Sequence, residues 1–171
     1  MNQQDVSTIE KQIGRVPLGV MEVTKRCVNG CPQAVLVSPY QEERGFFPTL
    51  FWLTCPALRK SVSTLESTGY LRVVREIIST DEEFMGRLLA ANAAYIEKRM
   101  LLLEGNVLYA DHNVLVGIGG SANPLTVKCL HMHVADYISG GDNPVGEKCI
   151  EYIEENNYKL VCDDAICGGI K

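Results

Sequence analysis

No stretch of this chain stays apolar for anything near the ~18 residues that a membrane-spanning helix needs. Its beginning, MNQQDVSTIEKQ, has no apolar core of the kind a secretory leader carries, so neither a membrane partner nor export is expected. An excess of positive charge is missing too: 16 Lys and Arg stand against 21 Asp and Glu, a formal net charge of −5. Phosphate backbones are bound by basic surfaces, so nucleic acid is not an expected partner. Aromatic residues make up only 7%, with a single tryptophan, Trp52. Internal repeats and low-complexity tracts are absent. The segment Gly117-Ile-Gly-Gly-Ser121 lacks both the GK[ST] ending of a P-loop and the spacing of a dinucleotide fingerprint, which excludes the two commonest nucleotide signatures.

What is present is an ordinary globular composition: 171 residues, 46% hydrophobic and 22% charged. That length suits one domain, 1–171, with 1–16 as an N-terminal helix or extension and 158–171 as a loose tail. Seven cysteines are an odd number. In a chain expected to be cytoplasmic they point to reduced thiols, metal ligands or redox chemistry rather than a disulfide framework.

Periodicity predicts an α+β protein, a small N-terminal antiparallel sheet of about three strands packed on a mostly helical C-terminal body. Residues 5–13 read as a helix, 17–24 and 34–37 as strands around the Asn29-Gly30 turn, and 46–54 as a buried third strand. Cys55-Pro56 opens a helix to about Ser67, with Cys55 at the cap and proline at the first helical position. The type of 70–78 stays open. Thr80 and Glu83 form a capping box for a long helix to about Leu103 with two adjacent apolar stripes. A strand is possible at 107–109. Asn123-Pro124 and Asn143-Pro144 both read as a cap followed by a first-turn proline, giving two further helices, and 158–162 as a terminal strand.

The chemistry concentrates in Val114–Asp136. If a helix starts at Pro124, Cys129 and His133 lie four apart on one face and can grip one ion. Cys27, Cys55 and Cys129 each have a basic residue nearby (Arg26, Arg59, Lys128), and positive charge favours the thiolate that binds metal. Cys27, Cys55, Cys129 and His133 together make a Cys₃His set suited to zinc or to an iron–sulfur cluster, and their sulfurs are expected to converge. Cys31 and His131 are secondary candidates. Gly117, Gly119, Gly120 and Ser121 with Lys128, Arg26 and Arg59 form a candidate anion site, because glycines before a helix leave N–H groups free at its positive end. A small anionic molecule is the expected partner. A metal-free cysteine enzyme, with Cys55 or Cys129 as nucleophile and His133 as base, is the alternative, as is a non-catalytic binding domain whose cysteines fill the core.

PTLFWLTCP (Pro48–Pro56), Ser63-Thr-Leu-Glu66 with Gly69, GIGG…VKCLHMHVA (Gly117–Ala135) and DNPVG (Asp142–Gly146) together resemble a bacterial family catalogued as domain of unknown function 501. The resemblance spans most of 18–147. It implies a cytoplasmic, single-domain protein, with Cys27, Thr54-Cys-Pro56 and Lys128-Cys-Leu-His131 in the shared pattern, and it implies no particular activity. That last run includes His131, whereas helical spacing selects His133.

Overall fold

The chain starts on a helix, α1 (Gln3–Ile13), opened by the Asn2 side chain accepting the Asp5 N–H and closed by Gly14 at φ 74°. This computed structural model describes residues 1–42, 45–103 and 112–162. The strand expected near 107–109 and the tail from Asp163 onward lie outside those residues. Strands β1 (Val20–Arg26) and β2 (Pro32–Val37) pair antiparallel, and β5 (Phe51–Leu53) joins the other edge of β2, giving the order β1-β2-β5. Between them, β3 (Tyr40–Gln41) and β4 (Gly45–Phe46) form a separate two-stranded ladder, so the expected third strand is split and shorter. Five helices follow: α2 (Pro56–Ser67), α3 (Tyr70–Thr80), α4 (Glu82–Leu103), α5 (Leu130–Ile138) and α6 (Pro144–Glu155). The architecture is α+β, with a three-stranded N-terminal sheet against a helical body. No helix among the described residues is long and apolar enough to cross a membrane.

All six residues of β2 are buried, because the strand is covered on both faces. Ala34 and Leu36 point with Phe51 and Leu53 into the main core, shared with Leu58, Val62, Leu130 and Val134 of the helices. Val35 and Val37 face the other way, against Ile9 and Ile13 of α1 and Trp52. Burying side chains of this size stabilises by roughly 1.5–3 kcal/mol each, so α1 is held by its apolar stripe.

Three expectations are corrected at element boundaries. The long helix α4 is capped by Asp81, whose Oδ1 accepts the Phe84 N–H at 2.9 Å, not by a Thr80/Glu83 box. Residues 158–162 form bends and irregular chain rather than a strand. Most consequential, no helix starts at Pro124. Asn123 instead caps a local turn by accepting the Leu125 N–H at 2.9 Å, and α5 starts only at Leu130, after an extended Cys129. The reason is tertiary. Asn92, buried on α4, donates to the Pro124 carbonyl at 3.0 Å and accepts the Ile118 N–H at 2.8 Å, so it holds 117–124 in an irregular path against α4. The buried stripe of α4 therefore includes two polar members, Asn92 and Arg99, among Phe84, Leu88 and Tyr95. Leu89, apolar but off this stripe, is exposed. Arg99 is fully enclosed and donates to the carbonyls of Pro48, Val114 and Val116.

Helices α5 and α6 are clasped by Asn143. It is fully buried, caps α6 by accepting the Val145 and Gly146 N–H groups, and donates to Asp136 at 2.9 Å. His133 Nδ1 reaches the same amide at 3.2 Å. The close approach needs Gly146, where an added Cβ would collide with the His133 carbonyl and Tyr137 Cβ. We predict that Gly146→Ala destabilises the protein by about 2 kcal/mol or more in denaturant titrations, since backbone on one side cannot yield as a side chain would. Burial pushes the Asp136 carboxyl up to about 6, against the opposing pull of the Asn143 amide and Lys98. A folded value above the ordinary one makes the unfolded chain release its proton first as pH rises. The stability this group contributes is thus complete below about pH 4 and is lost as pH rises through about 6. Asp136→Asn should remove that decline, leaving the variant relatively more stable at pH 7.5 than at pH 4.5 by about 1–3 kcal/mol, measured as paired denaturation curves.

Candidate metal site at the α5 N-terminus

Because α5 begins at Leu130, Cys129 is its N-cap residue, with extended backbone at φ −149°. The i, i+4 rule therefore does not apply to Cys129 and His133, and this is the physical reason the two do not share a face. His133 sits on the inner side of α5, 2% exposed, where burial pushes its pKa down to about 4 and Asn143 engages it. The residue brought to Cys129 is His131, whose Nδ1 lies 3.8 Å from the Cys129 sulfur.

A third group completes the arrangement. Glu66, near the end of α2, places Oε1 3.3 Å from His131 Nδ1. The same oxygen accepts the Leu130 N–H at 2.7 Å, so a carboxylate from another helix satisfies the open end of α5. Glu66, Cys129 and His131 offer three ligand atoms within 4.8 Å of one another, and no other such trio occurs among the described residues. Two ligands about 2.0–2.3 Å from one tetrahedral ion lie about 3.4–3.6 Å apart, close to the separations seen here.

The other face of the imidazole is engaged as well. His131 Nε2 lies 3.1 Å from the Arg59 carbonyl and 3.2 Å from Ser63 Oγ. A carbonyl only accepts, so Nε2 donates on that side, and Nδ1 is the ring atom turned toward Glu66 and Cys129. Burial pushes the Cys129 thiol up, and the Glu66 carboxylate adds to that. The N–H groups of Met132 and His131 pull the other way but do not win.

The structure does not add the remaining predicted ligands to this trio. Cys55 is at the α2 cap as expected, but its thiol is buried, and burial pushes its pKa to about 11, with Cys162 beside it. Cys27 is held in the β1–β2 turn, where its N–H donates to the Cys31 carbonyl at 2.9 Å. Cys31 sits in the same turn, its sulfur 3.9 Å from the Asn29 carbonyl. Cys149 lies in the core, fully enclosed, and burial pushes its thiol to about 12. None of the described cysteines forms a disulfide.

Three N–H groups of the glycine segment are engaged within the protein. Gly117 donates to the Ser121 carbonyl, Ile118 to Asn92 and Gly120 to the Gly117 carbonyl. Lys128 donates back to the Gly120 carbonyl at 3.4 Å, and Arg26 forms a two-pronged pair with Asp5 at 2.8 Å. Gly119 and Gly120 take positive φ, which the turn requires. Of the predicted anion residues, Arg59 lines a cavity together with Cys129 and His131.

Fold and site together define an α+β protein with three convergent N, O and S donors at a helix start. Residues 23–151 match the family described as Protein of unknown function (DUF501), and the chain belongs to that family. Glu66, Cys129 and His131 all lie inside the matched region. No curated protein and no solved structure matches the chain.

Glu66 has two separable roles, in the helix end and in the trio. Glu66→Gln keeps an acceptor for the Leu130 N–H and should cost the metal-free protein less than about 1 kcal/mol. Glu66→Ala removes it and should cost about 1–2 kcal/mol, read from chemical denaturation.

Proposed function

We propose that this protein binds a divalent transition metal of the zinc type through Glu66, Cys129 and His131, leaving a coordination position open for a small anionic molecule. The observation that carries the reading is the convergence of three donor types: His131 Nδ1 and Glu66 Oε1 face each other at 3.3 Å, with the Cys129 sulfur beside them. A positive centre joins such a pair, either a proton on the imidazole or a metal ion, and a thiol at 3.8 Å from the same nitrogen supplies the third donor that a metal ion uses. The donor set of imidazole, carboxylate and thiolate suits zinc, iron(II) or cobalt(II). One cysteine is too few for an iron–sulfur cluster, which favours a single ion over the cluster reading.

Geometry also weighs against the metal-free thiol enzyme. A relay needs nucleophile and carboxylate on opposite ring nitrogens, and here both approach Nδ1 while Nε2 is committed to Arg59 and Ser63. The Nε2–H to carbonyl contact is the outer-shell support that metal-bound histidines use. A metal with three protein ligands and one open position acts as a Lewis acid on a bound oxygen. The six described cysteines, none in a disulfide, suit the reducing cytoplasm.

The test is metal analysis of anaerobically purified protein, followed by cobalt(II) substitution. We expect one ion per chain and a sulfur-to-cobalt charge-transfer band. Outer-shell partners are worth about ten- to a hundredfold in affinity, so Cys129→Ser and His131→Ala should each weaken zinc binding more than about a hundredfold. Cys27→Ser and Cys55→Ser should leave it unchanged. Folded protein that takes up neither zinc nor cobalt would sink the proposal, and selective alkylation of Cys129 in that protein would favour the thiol enzyme instead.

A further inference from the structure

Beside the trio lies a cavity of about 240 Å³ whose wall includes Cys129 and His131. Arg15 and Arg59 stand on the same wall. Arg59 donates to the Gln12 carbonyl at 3.4 Å, and Arg15 lies over the Trp52 ring at 5.6 Å. Among the described residues neither guanidinium forms an ion pair, whereas Arg26 and Arg87 both do. The rest of the wall is largely apolar, with Ile13, Phe51 and Met132. A second cavity of about 250 Å³ lies between α1 and the outer sheet face, lined by Ile9, Val35 and Val37. The two share Ile13, Arg15, Trp52 and Leu53.

We propose that these paired cavities take an amphiphilic anion, a carboxylate or phosphate carrying an alkyl chain, with its head at Arg15 and Arg59 and its chain along Trp52 toward α1. The assignment deepens the metal reading and rests on it for what is done to the ligand, because the head would sit on the side of Cys129 and His131. Guanidinium groups grip carboxylate and phosphate oxygens in pairs, and two without acidic partners among the described residues, in a chain of net charge −5, are a local exception to its overall sign. An inorganic anion alone would leave the apolar walls unused. A neutral hydrocarbon would leave both arginines unanswered.

Trp52 is the only tryptophan, so its fluorescence reports on both cavities. Full-length protein, zinc-loaded and chelator-treated, would be titrated with butanoate, octanoate, octyl phosphate and octylammonium, with zinc stoichiometry measured separately. Octanoate and octyl phosphate should change Trp52 emission and octylammonium should not. Each buried methylene is worth about fourfold, so octanoate, with four more, should bind on the order of a few hundredfold more tightly than butanoate. Arg59→Met and Arg15→Met, checked for unaltered melting, should each weaken octanoate about tenfold or more. Arg15 is exposed, so its replacement tests the charge without disturbing the core. No Trp52 response, a flat chain-length series, equal binding of octylammonium, or unchanged affinity in both variants would overturn the assignment. Zinc binding without an octanoate response would overturn this assignment and spare the metal reading. Octanoate binding to a protein that takes up no zinc would support the cavity and overturn the metal.

Discussion

The hydrogen bond from the Leu130 N–H to Glu66 Oε1 joins what the rest of the site depends on. A helix start leaves N–H groups without intrahelical partners, and α5 carries no acidic residue in its own first turn. Its N-cap residue is a cysteine, a poorer acceptor than serine or aspartate. The carboxylate that makes up the deficit comes from α2, at the positive end of the α5 dipole. That requirement of helix capping, met across two helices, is what sets a carboxylate, a thiol and an imidazole around one point.

Local grammar was readable where nothing tertiary competed with it. Cys55-Pro56 and Asn143-Pro144 both start helices where cap and proline place them, and Asn143 caps α6 with its own side chain. Asn123-Pro124 has the same grammar and starts only a turn. The difference is Asn92, an amide on α4 that takes the Pro124 carbonyl from 32 residues away. A buried polar group that must be satisfied outweighs a propensity worth a few tenths of a kcal/mol per residue.

The same displacement explains how much of the site could be read. Cys129 stood out in the sequence, and so did the histidines after it. Choosing between them needed the helix start to within a residue, because an extended N-cap residue meets a different neighbour from a helical one. Glu66 was not marked as a ligand, since its contacts to Leu130 and His131 span more than 60 residues. Its one visible signal was membership of the Ser63–Glu66 stretch that carries the family resemblance. Arg15 falls before residue 23, outside the region that the family match covers.

Arg99 carries a consequence for how the chain folds. Its guanidinium is fully enclosed, without a carboxylate, and is answered by carbonyls of Pro48 on one side in sequence and of Val114 and Val116 on the other. One turn back along the same face, Tyr95 takes the Leu50 N–H through its hydroxyl. A dry cation with half its acceptors missing is costly, so neither segment can dock on α4 to full effect without the other. The strand that walls the cavity and the irregular segment that leads into Cys129 are thereby made to fold, and to come apart, together.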